Sequence, residues 1–236
     1  MRALLFDGAP VEIDARALVM GGSWYSAQGA PPMCDHHEGL HWIHARAQAL
    51  DAPVLLDVGA STGSYALLAA HHPGMRVWAF EPNVYAFRVL AAHVSLNGLQ
   101  SRARITPVAL TDASGRVALK VPRNRHEWGL ATIGAPGRFA HWHEYTVRAE
   151  TLDHAVARLG IPRVDLLKID TEGAELLVLR GGEKTIRRDH PALLLEFNGG
   201  NMAQFNYTPS ELTALLDAWG AHYAMVDGED LGVWWT

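Results

Sequence analysis

Ionisable residues lie near the ends of two apolar segments, residues 164–170 and 192–198, where they could carry out acid–base chemistry. Lys168 falls inside the first segment, and an unpaired ammonium group would be costly in a strand that is covered on both faces. It therefore needs a carboxylate partner: Asp170 follows on the same face, and Glu196 can lie on the neighbouring strand. Such a group is either a structural ion pair or part of an active site. The residues alone leave both roles open for Lys168, Asp170 and Glu196.

A glycine-containing turn follows another apolar segment, residues 54–58, and precedes residues that favour a helix. Gly59 and Gly63 have no Cβ and let the backbone come close to a ligand. A helix that begins here would present free N–H groups to an anion. The spacing is G-x-x-x-G, with Ser61 where a dinucleotide-binding turn has its second glycine. A pyrophosphate would fit poorly against this turn, whereas an amino-acid carboxylate would fit better.

Two carboxylates accompany the glycine turn. Asp57 ends the strand before it, and Glu81 ends the next apolar segment, 22 residues after Gly59. An acidic residue at that distance and at a strand end is where a ribose diol is usually bound. The combination predicts an adenosine-type ligand without a pyrophosphate, and S-adenosylmethionine is the obvious candidate.

Apolar and helical segments alternate along most of the chain, which predicts an α/β fold with a doubly wound, mostly parallel sheet. Ligands bind such sheets outside the carboxyl ends of the strands, where Asp57, Glu81 and Ala109 fall. Residues 222–226 and 231–234 predict an antiparallel C-terminal hairpin. The core strands are expected at residues 54–58, 76–81, 103–110, 117–121, 164–170 and 192–198, and helices at 63–71, 84–96, 151–159, 175–187 and from 208.

Composition limits the classes of protein that fit. The chain has 236 residues, enough for one large α/β domain and too few for two. Its net charge of −5 argues against a nucleic-acid partner. A single cysteine, Cys34, excludes an internal disulfide framework, and no apolar run reaches transmembrane length or resembles a signal peptide. We therefore expect a cytoplasmic protein with no membrane contact.

The N-terminal segment, residues 1–50, precedes the first core strand and is expected to form an extension to the main domain, residues 51–236. It contains two predicted short strands within residues 2–14, a loop at 21–33 and a helix at 35–50. We expect it to cover the active site as a lid or to form a homodimer contact. Three histidines on this helix could bind a metal, but we favour an ordinary polar face because nothing else completes such a site: His37, His41 and His44.

Residues 122–144 interrupt the alternation of strands and helices with glycines, prolines and scattered aromatic side chains. A long aromatic-rich loop in a compact domain is often functional. A β-hairpin with ordinary surface aromatics explains the pattern equally well, so both interpretations stay open.

Three motifs, in this order, resemble the FkbM family of S-adenosylmethionine-dependent methyltransferases over about residues 54–197. They are Asp57-Val58-Gly59-Ala60-Ser61-Thr62-Gly63, Phe80-Glu81-Pro82-Asn83 and Lys168-Ile169-Asp170-Thr171-Glu172-Gly173-Ala174-Glu175. The resemblance implies a seven-stranded, Rossmann-like class I methyltransferase fold that ends in the antiparallel hairpin. It also implies S-adenosylmethionine as cofactor and a hydroxyl group as acceptor.

The resemblance places Asp170 near the methionine part of the cofactor and near the acceptor, so we favour an active-site role for Asp170. Both roles stay open for Lys168 and Glu196. Glu172 in the following loop could contact the acceptor, whereas Glu175 is expected to open a helix and complement its dipole. A carboxylate or Lys168 would remove the proton of the acceptor hydroxyl. The expected catalytic residues are Lys168, Asp170, Glu172 and Glu196. The expected cofactor contacts are Asp57, Gly59, Ala60, Ser61, Gly63, Glu81, Pro82, Asn83, Val108, Ala109 and Asp170.

The function predicted from these features is methyl transfer to a hydroxyl of a small molecule, a sugar or a secondary metabolite. An NAD-type oxidoreductase shares the strand–turn–helix unit and the distal acid, but not the glycine spacing or the third motif. A non-catalytic module that binds S-adenosylmethionine and a partner is the other alternative.

A divalent cation could lie beside the cofactor, where it would lower the pKa of the acceptor hydroxyl. Asp170, Glu196 and Asn198 would offer it an oxygen-only ligand set. The ammonium group of Lys168 would compete with the cation for the same carboxylates. We therefore expect transfer without a metal ion.

Overall fold

A computed structural model describes residues 2–4, 10–16, 26–27, 37–135 and 141–236 of the chain. Its strands are β1 (Arg2–Leu4), β2 (Pro10–Glu12), β3 (Ser26–Ala27), β4 (Val54–Val58), β5 (Arg76–Phe80), β6 (Ala103–Thr106), β7 (Ala109–Leu110), β8 (Gly115–Pro122), β9 (Trp142–Glu150), β10 (Leu166–Ile169), β11 (Ala192–Glu196), β12 (His222–Met225) and β13 (Asp230–Trp234). Its α-helices are α1 (His37–Gln48), α2 (Val84–Leu96), α3 (Leu152–Leu159), α4 (Glu175–Gly181), α5 (Glu183–Asp189), α6 (Gly199–Ala203) and α7 (Pro209–Ala218). Short 3-10 helices cover Ala66–Ala70 and Arg125–Leu130.

The central sheet has seven strands in the order β12-β13-β11-β10-β4-β5-β6. The strands from β11 to β6 run parallel, and β13 pairs antiparallel with both β11 and β12. All residues of β4 are buried, as expected for a central parallel strand covered on both faces. The predicted mostly parallel sheet with an antiparallel C-terminal hairpin is therefore confirmed.

Two hydrophobic layers cover the sheet, one on each face. Along β4, Leu55 belongs to the layer under α1 and α2, whereas Leu56 and Val58 belong to the layer under α3, α4, α5 and α7. This alternation follows from the period of two residues along a strand. Asp57 and Lys168 share the α1 face with Leu55 and Leu166, because they lie two residues along the same strands. The charged groups of the candidate site therefore lie on one face of the sheet.

Polar side chains accept free backbone N–H groups at the starts of α2, α3 and α7. Asn83 caps α2 by accepting the backbone N–H of Tyr85, and Thr151 caps α3. Thr208 and Glu211 form a capping box at the start of α7.

Several predicted elements differ from the structure. Residues 63–71 form a 3-10 helix over Ala66–Ala70 only. The strand expected at 103–110 divides around Pro107 into β6 and β7, which belong to different sheets. The helix expected at 175–187 divides into α4 and α5 at Gly182, where a Cβ would press against Leu152.

The predicted loop at residues 122–144 connects β8 with β9, which belong to a three-stranded sheet separate from the central one, in the order β7-β9-β8. β9 begins at Trp142, so the predicted loop is too long at its C-terminal end. Between β8 and β9 the chain forms the Arg125–Leu130 helix and an isolated bridge that pairs Lys120 with Thr132. The strand pairing of the hairpin interpretation is observed. Its aromatics are not all ordinary surface residues, because Trp128 of the inserted helix lines the cavity described below, and a functional role of this segment stays a prediction. Residues 136–140 lie outside the described part of the chain.

The N-terminal segment is described only in part. β1 and β2 pair antiparallel as predicted, and Val11 and Ile13 are buried in the core under α1 and α2. α1 is packed on the sheet through Leu40, Ile43 and Ala47. Cys34 and most of the predicted loop at 21–33 lie outside the described residues. The lid or homodimer role of this segment stays a prediction. Among the described helices, none has the length and apolar character needed to cross a membrane.

Candidate active site

The glycine turn after β4 is held against the chain's own backbone. Gly59 has a φ of +74°, and a Cβ on it would overlap the carbonyl oxygen of Asp170. Gly63 has a φ of +94°, and a Cβ there would overlap the side chain of Leu90. Both positions require glycine, because L side chains rarely adopt this conformation and no space is left for one. Packing within the protein therefore imposes the glycine spacing that the sequence analysis had related to a ligand.

Glu81 joins the two loops at the ends of β4 and β5. Its two carboxylate oxygens each accept a backbone N–H, from Ser61 at 2.7 Å and from Asn83 at 2.7 Å. The side chain is 6% exposed, and burial raises the pKa of Glu81 to about 7, although the two N–H donors oppose this shift. A carboxylate fixed in this way at a strand end can accept hydrogen bonds from a diol that reaches it from the cavity.

Lys168 links the glycine turn to two carboxylates. Its Nζ donates a hydrogen bond to the carbonyl oxygen of Gly59 at 2.9 Å. The same atom lies 3.3 Å from Oδ2 of Asp170 and 3.6 Å from Oδ1 of Asp57. Burial alone would lower the pKa of Lys168, but the charges of Asp170 and Asp57 outweigh burial and raise the pKa above its usual value. Lys168 is therefore an ammonium ion throughout the physiological pH range.

The predicted partnership of Lys168 with Asp170 is confirmed, and Asp57 is a second partner that the sequence analysis missed. Lys168 and Asp57 are directly paired residues of the adjacent strands β10 and β4. Asp57 is fully buried beneath the cavity, so it supports the site from below and does not line it. The position of both charges inside buried strands indicated that each needs a partner, but not that they are partners of each other.

Three carboxylates converge where β10 and β11 end. Asp170, Glu172 and Glu196 offer oxygen atoms that all lie within 4.8 Å of one another. Nδ2 of Asn201, in α6, donates to Oε2 of Glu172 at 2.9 Å and to Oε1 of Glu196 at 2.7 Å. The sequence analysis identified all three acids but neither α6 nor Asn201.

Glu175 begins α4, as the sequence predicted, and its carboxylate also holds the preceding loop, which the sequence analysis did not foresee. Its Oε1 accepts hydrogen bonds from both the N–H and the hydroxyl of Thr171 and from the N–H of Gly173, and Oε2 accepts the hydroxyl of Tyr207. These bonds fix the loop that carries Glu172, which has a φ of +58°. The motif therefore contains both the carboxylates that face the cavity and the residue that shapes their loop.

A cavity of about 410 Å³ joins these groups. Its size falls within the usual range for a small-molecule site. Among the predicted site residues, it is lined by Gly59, Ala60, Ser61, Glu81, Pro82, Val108, Ala109, Lys168, Asp170, Glu172 and Glu196. Gly63, Asp57 and Asn83 do not line it, because the first packs on Leu90 and the other two are buried beneath the wall. The cavity is also lined by residues that the sequence analysis did not name, among them Tyr65, Leu130, Ile133, Glu229 and Asp230.

The Arg125–Leu130 helix is attached to the Glu81 side of the cavity. Nδ2 of Asn83 donates to the carbonyl oxygen of Trp128 at 3.0 Å, and the Trp128 ring stacks on Tyr85 with centroids 4.4 Å apart. Past the helix, the hydroxyl of Thr132 donates to the carbonyl oxygen of Glu172. This inserted segment thus runs from the Glu81 loop to the carboxylate cluster, and its aromatic residues were the sequence signal for it.

The group of carboxylates that could hold a metal ion includes Glu172, which the predicted ligand set of Asp170, Glu196 and Asn198 lacked. Within the described part of the chain, Asp170, Glu172 and Glu196 are the group whose positions could hold a metal ion. Asn198 also lines the cavity, and its Oδ1 accepts the N–H groups of Gly200 and Asn201 and caps α6. The ammonium group of Lys168 lies against Asp170, and metal-free transfer stays a prediction.

Comparisons with known proteins place the chain among methyltransferases. The family model "Methyltransferase FkbM domain" matches residues 57–223. The 2-O-methyltransferase NoeI of Sinorhizobium fredii is 32% identical over 152 residues, which cover 58% of this chain and 60% of NoeI. The 31-O-demethyl-FK506 methyltransferase FkbM of Streptomyces tacrolimicus is 30% identical over 156 residues, which cover 55% of this chain and 59% of that protein. The chain thus matches less than two thirds of the length of these relatives.

Solved structures share the fold. The O-methyltransferase from Bacillus cereus in complex with SAH superimposes with a TM-score of 0.51 at 11% identity, over 85% of this chain and 80% of that chain. Likeness at this level of identity concerns the fold alone. It agrees with the predicted Rossmann-like fold of class I methyltransferases.

Proposed function

Because the chain belongs to the FkbM family of methyltransferases, we propose that it transfers the methyl group of S-adenosylmethionine to a hydroxyl group of a small molecule. The observation that carries the proposal is the joint position of Glu81 and the carboxylate cluster on one cavity. The end of the cavity near Glu81 suits a nucleoside, and the end near Asp170 suits an acceptor group that loses a proton. The family match does not favour an NAD-type oxidoreductase or a non-catalytic binding module.

The residues of the cavity fit S-adenosylmethionine. The carboxylate of Glu81 faces the cavity where a ribose diol can donate to it, and Val108, Ala109 and Leu130 offer an apolar wall to the base. When bound, the cofactor supplies an electrophilic methyl group on a sulfonium. This chain holds the nucleoside and keeps the acceptor in line with the methyl group, and alignment of this kind supplies much of the rate enhancement in bimolecular reactions.

Asp170 is the proposed general base. Its side chain is 37% exposed and lines the cavity, so an acceptor hydroxyl can reach it. Lys168 cannot take this role, because its raised pKa keeps it protonated. Its proposed function is to orient Asp170 and to hold the Gly59 carbonyl. Asp170 would take up the proton of an acceptor hydroxyl held in the cavity, while the bound cofactor would supply the methyl group and leave as its neutral thioether.

The acceptor class follows from the relatives and from the cavity. NoeI and FkbM are named as methyltransferases that act at oxygen positions, 2-O and 31-O. Carboxylate oxygens accept hydrogen bonds and so suit hydroxyl-bearing molecules. We therefore propose a sugar or a secondary metabolite as the acceptor. We also propose that the protein acts in the cytoplasm without a nucleic-acid or membrane partner, and that it can form a homodimer.

The function is tested with the purified protein, methyl-labelled S-adenosylmethionine and a small-molecule extract of the source cells. We expect label in a small molecule and an O-methyl resonance in the isolated product. Calorimetry should detect binding of S-adenosylmethionine and of S-adenosylhomocysteine, and none of NAD. Binding of NAD without binding of S-adenosylmethionine would contradict the proposal.

Glu81→Ala should weaken the binding of S-adenosylmethionine by about 2–4 kcal/mol, because two charge-assisted hydrogen bonds to the ribose are lost. The variant also releases the N–H groups of Ser61 and Asn83, which loosens both loops around the nucleoside. Isothermal titration calorimetry measures the loss. Glu183→Ala, an exposed change in α5, is the matched control. Unchanged affinity in folded Glu81→Ala protein would refute the ribose assignment.

The binding of S-adenosylmethionine should strengthen as the pH rises through about 7. Burial raises the pKa of Glu81 to about 7 in the ligand-free protein, so a large fraction of Glu81 is protonated below that pH. The ionised form accepts both ribose hydroxyls, and a one-proton linkage lowers the affinity by up to about tenfold for each pH unit below the pKa. Calorimetry between about pH 5.5 and 8.5 measures the slope. Glu81→Gln should remove it, and an equal slope in that variant would assign the proton to another group.

Methyl transfer should survive exhaustive chelation. The ammonium group of Lys168 already lies against Asp170 and offsets part of the negative charge that a cation would balance. Initial rates are compared before chelation, after it, and after magnesium or manganese is restored. Loss of activity with chelator and recovery with metal would reverse this prediction and make Asp170, Glu172 and Glu196 the ligands to substitute first.

A further inference from the structure

We propose that Asn201 is a positioning residue, which holds Glu172 and Glu196 in the orientation that binds the acceptor. The inference rests on the proposed function, since it assigns the acceptor side of the same cavity. Asn201 itself does not line that cavity. It acts through the two carboxylates, both of which do.

The geometry of Asn201 matches this role. The residue is 2% exposed, and its Nδ2 donates to Glu172 at 2.9 Å and to Glu196 at 2.7 Å. An amide nitrogen carries two hydrogens, so one group serves both carboxylates at once. The acids come from different elements, the loop after β10 and the end of β11. Asn201 therefore joins two parts of the acceptor side that are distant in the sequence.

The bridging amide counteracts the repulsion between its two partners. Like charges held close together disfavour ionisation and push the carboxylates apart. Donors directed at each carboxylate favour the ionised form and fix its rotation. With one oxygen of each acid oriented by Asn201, the cluster presents hydrogen-bond acceptors to the cavity. These suit a second hydroxyl of the acceptor, next to the one that Asp170 deprotonates.

The backbone around Asn201 is held in place as well. Asn198 accepts the N–H groups of Gly200 and Asn201, which fixes the start of α6. A Cβ on Gly173 would overlap the carbonyl oxygen of Asn201. The start of α6 therefore packs directly against the residue that follows Glu172. Asn201 therefore lies at the contact between α6 and the loop that carries Glu172.

Asn201→Asp is the decisive variant, since it keeps the shape and replaces the amide donors by a third carboxylate. At about pH 7.5 we expect methyl transfer to the source-cell extract to fall by about tenfold or more, with the affinity for S-adenosylmethionine unchanged. Towards about pH 5.5 the new carboxyl group is protonated and regains one donor, so the ratio of variant to wild-type rate should rise. Asn201→Ala should lose activity at every pH without this recovery.

Gln204→Ala is the matched control, because it removes a weak 3.5 Å hydrogen bond to Oδ1 of Asn201 and leaves the Nδ2 bonds intact. It should behave like the wild type. The positioning role would be overturned if Asn201→Asp transferred methyl at the wild-type rate at about pH 7.5. It would also be overturned if the rates of the Asp and Ala variants depended on pH in the same way. The comparison uses saturating cofactor, and thermal melting confirms that each variant is folded.

A second measurement needs neither the acceptor nor a variant that folds. Nitrogen-15 NMR of labelled wild-type protein follows the two side-chain amide protons of Asn201 and their exchange with solvent. Two separate resonances that exchange slowly support the bridge, and exchange as fast as that of exposed asparagine side chains overturns it. Wild-type protein that binds S-adenosylmethionine yet transfers label to nothing would refute the proposed function instead, and the NMR result would then decide on Asn201 alone.

Discussion

Asp170→Asn should lower the rate of methyl transfer by about 10²–10⁴-fold, the usual effect of removing a general base. Asparagine keeps the shape of the side chain but cannot take up the proton of the acceptor hydroxyl. The fold should persist, because Lys168 retains its ion pair with Asp57 and its hydrogen bond to Gly59. The binding of S-adenosylmethionine should change far less than the rate.

Single-turnover assays with saturating labelled cofactor measure this loss, and calorimetry measures the affinity for the cofactor. Asp51→Asn, an exposed change before β4, is the matched control and should leave both quantities unchanged. Glu172→Gln and Glu196→Gln are compared in parallel. If Asp170→Asn transfers methyl at the normal rate and one of these two does not, the role of base moves to that glutamate.

The sequence predicted the parts of the site that depend on local pattern. The order of strands and glycine turns placed Glu81 and Asp170 at the same edge of the sheet, because parallel strands present their carboxyl ends together. The preference of a buried ammonium for a carboxylate found the pairing of Lys168 with Asp170. These inferences need only the periodicity of strands and the cost of buried charge.

The parts that were missed depend on contacts between distant segments. The pairing of Asp57 with Lys168 requires the register of β4 against β10, which no local pattern specifies. Asn201 lies in a five-residue helix, too short to show a hydrophobic period. The strand expected across residues 103–110 ends early because Pro107 cannot donate to a ladder, so the chain leaves one sheet and joins another.

Lys168→Met should destabilise the protein by about 3–5 kcal/mol, the cost of breaking a buried ion pair from one side. Asp57 is 0% exposed, and Lys168 is the cation that lies against it, 3.6 Å from Oδ1. Methionine fills a similar volume without a charge, so the loss comes from the carboxylate left in the core and not from a cavity. Urea unfolding followed by circular dichroism measures the difference in free energy, with the exposed change Lys184→Met as the control.

The pH dependence identifies the cause of this destabilisation. Burial raises the pKa of Asp57 above its usual value, and loss of the nearby ammonium group raises it further. A carboxyl group whose pKa is raised on folding stabilises the protein below its unfolded pKa, and this contribution is lost as the pH rises through the folded pKa. The loss of unfolding free energy caused by Lys168→Met should therefore be larger at about pH 8 than at about pH 5. Adding Asp57→Leu should restore much of the stability, because well-packed apolar residues can replace a buried ion pair. A double variant no more stable than Lys168→Met, with a deficit that does not change with pH, would show that Asp57 does not carry the cost.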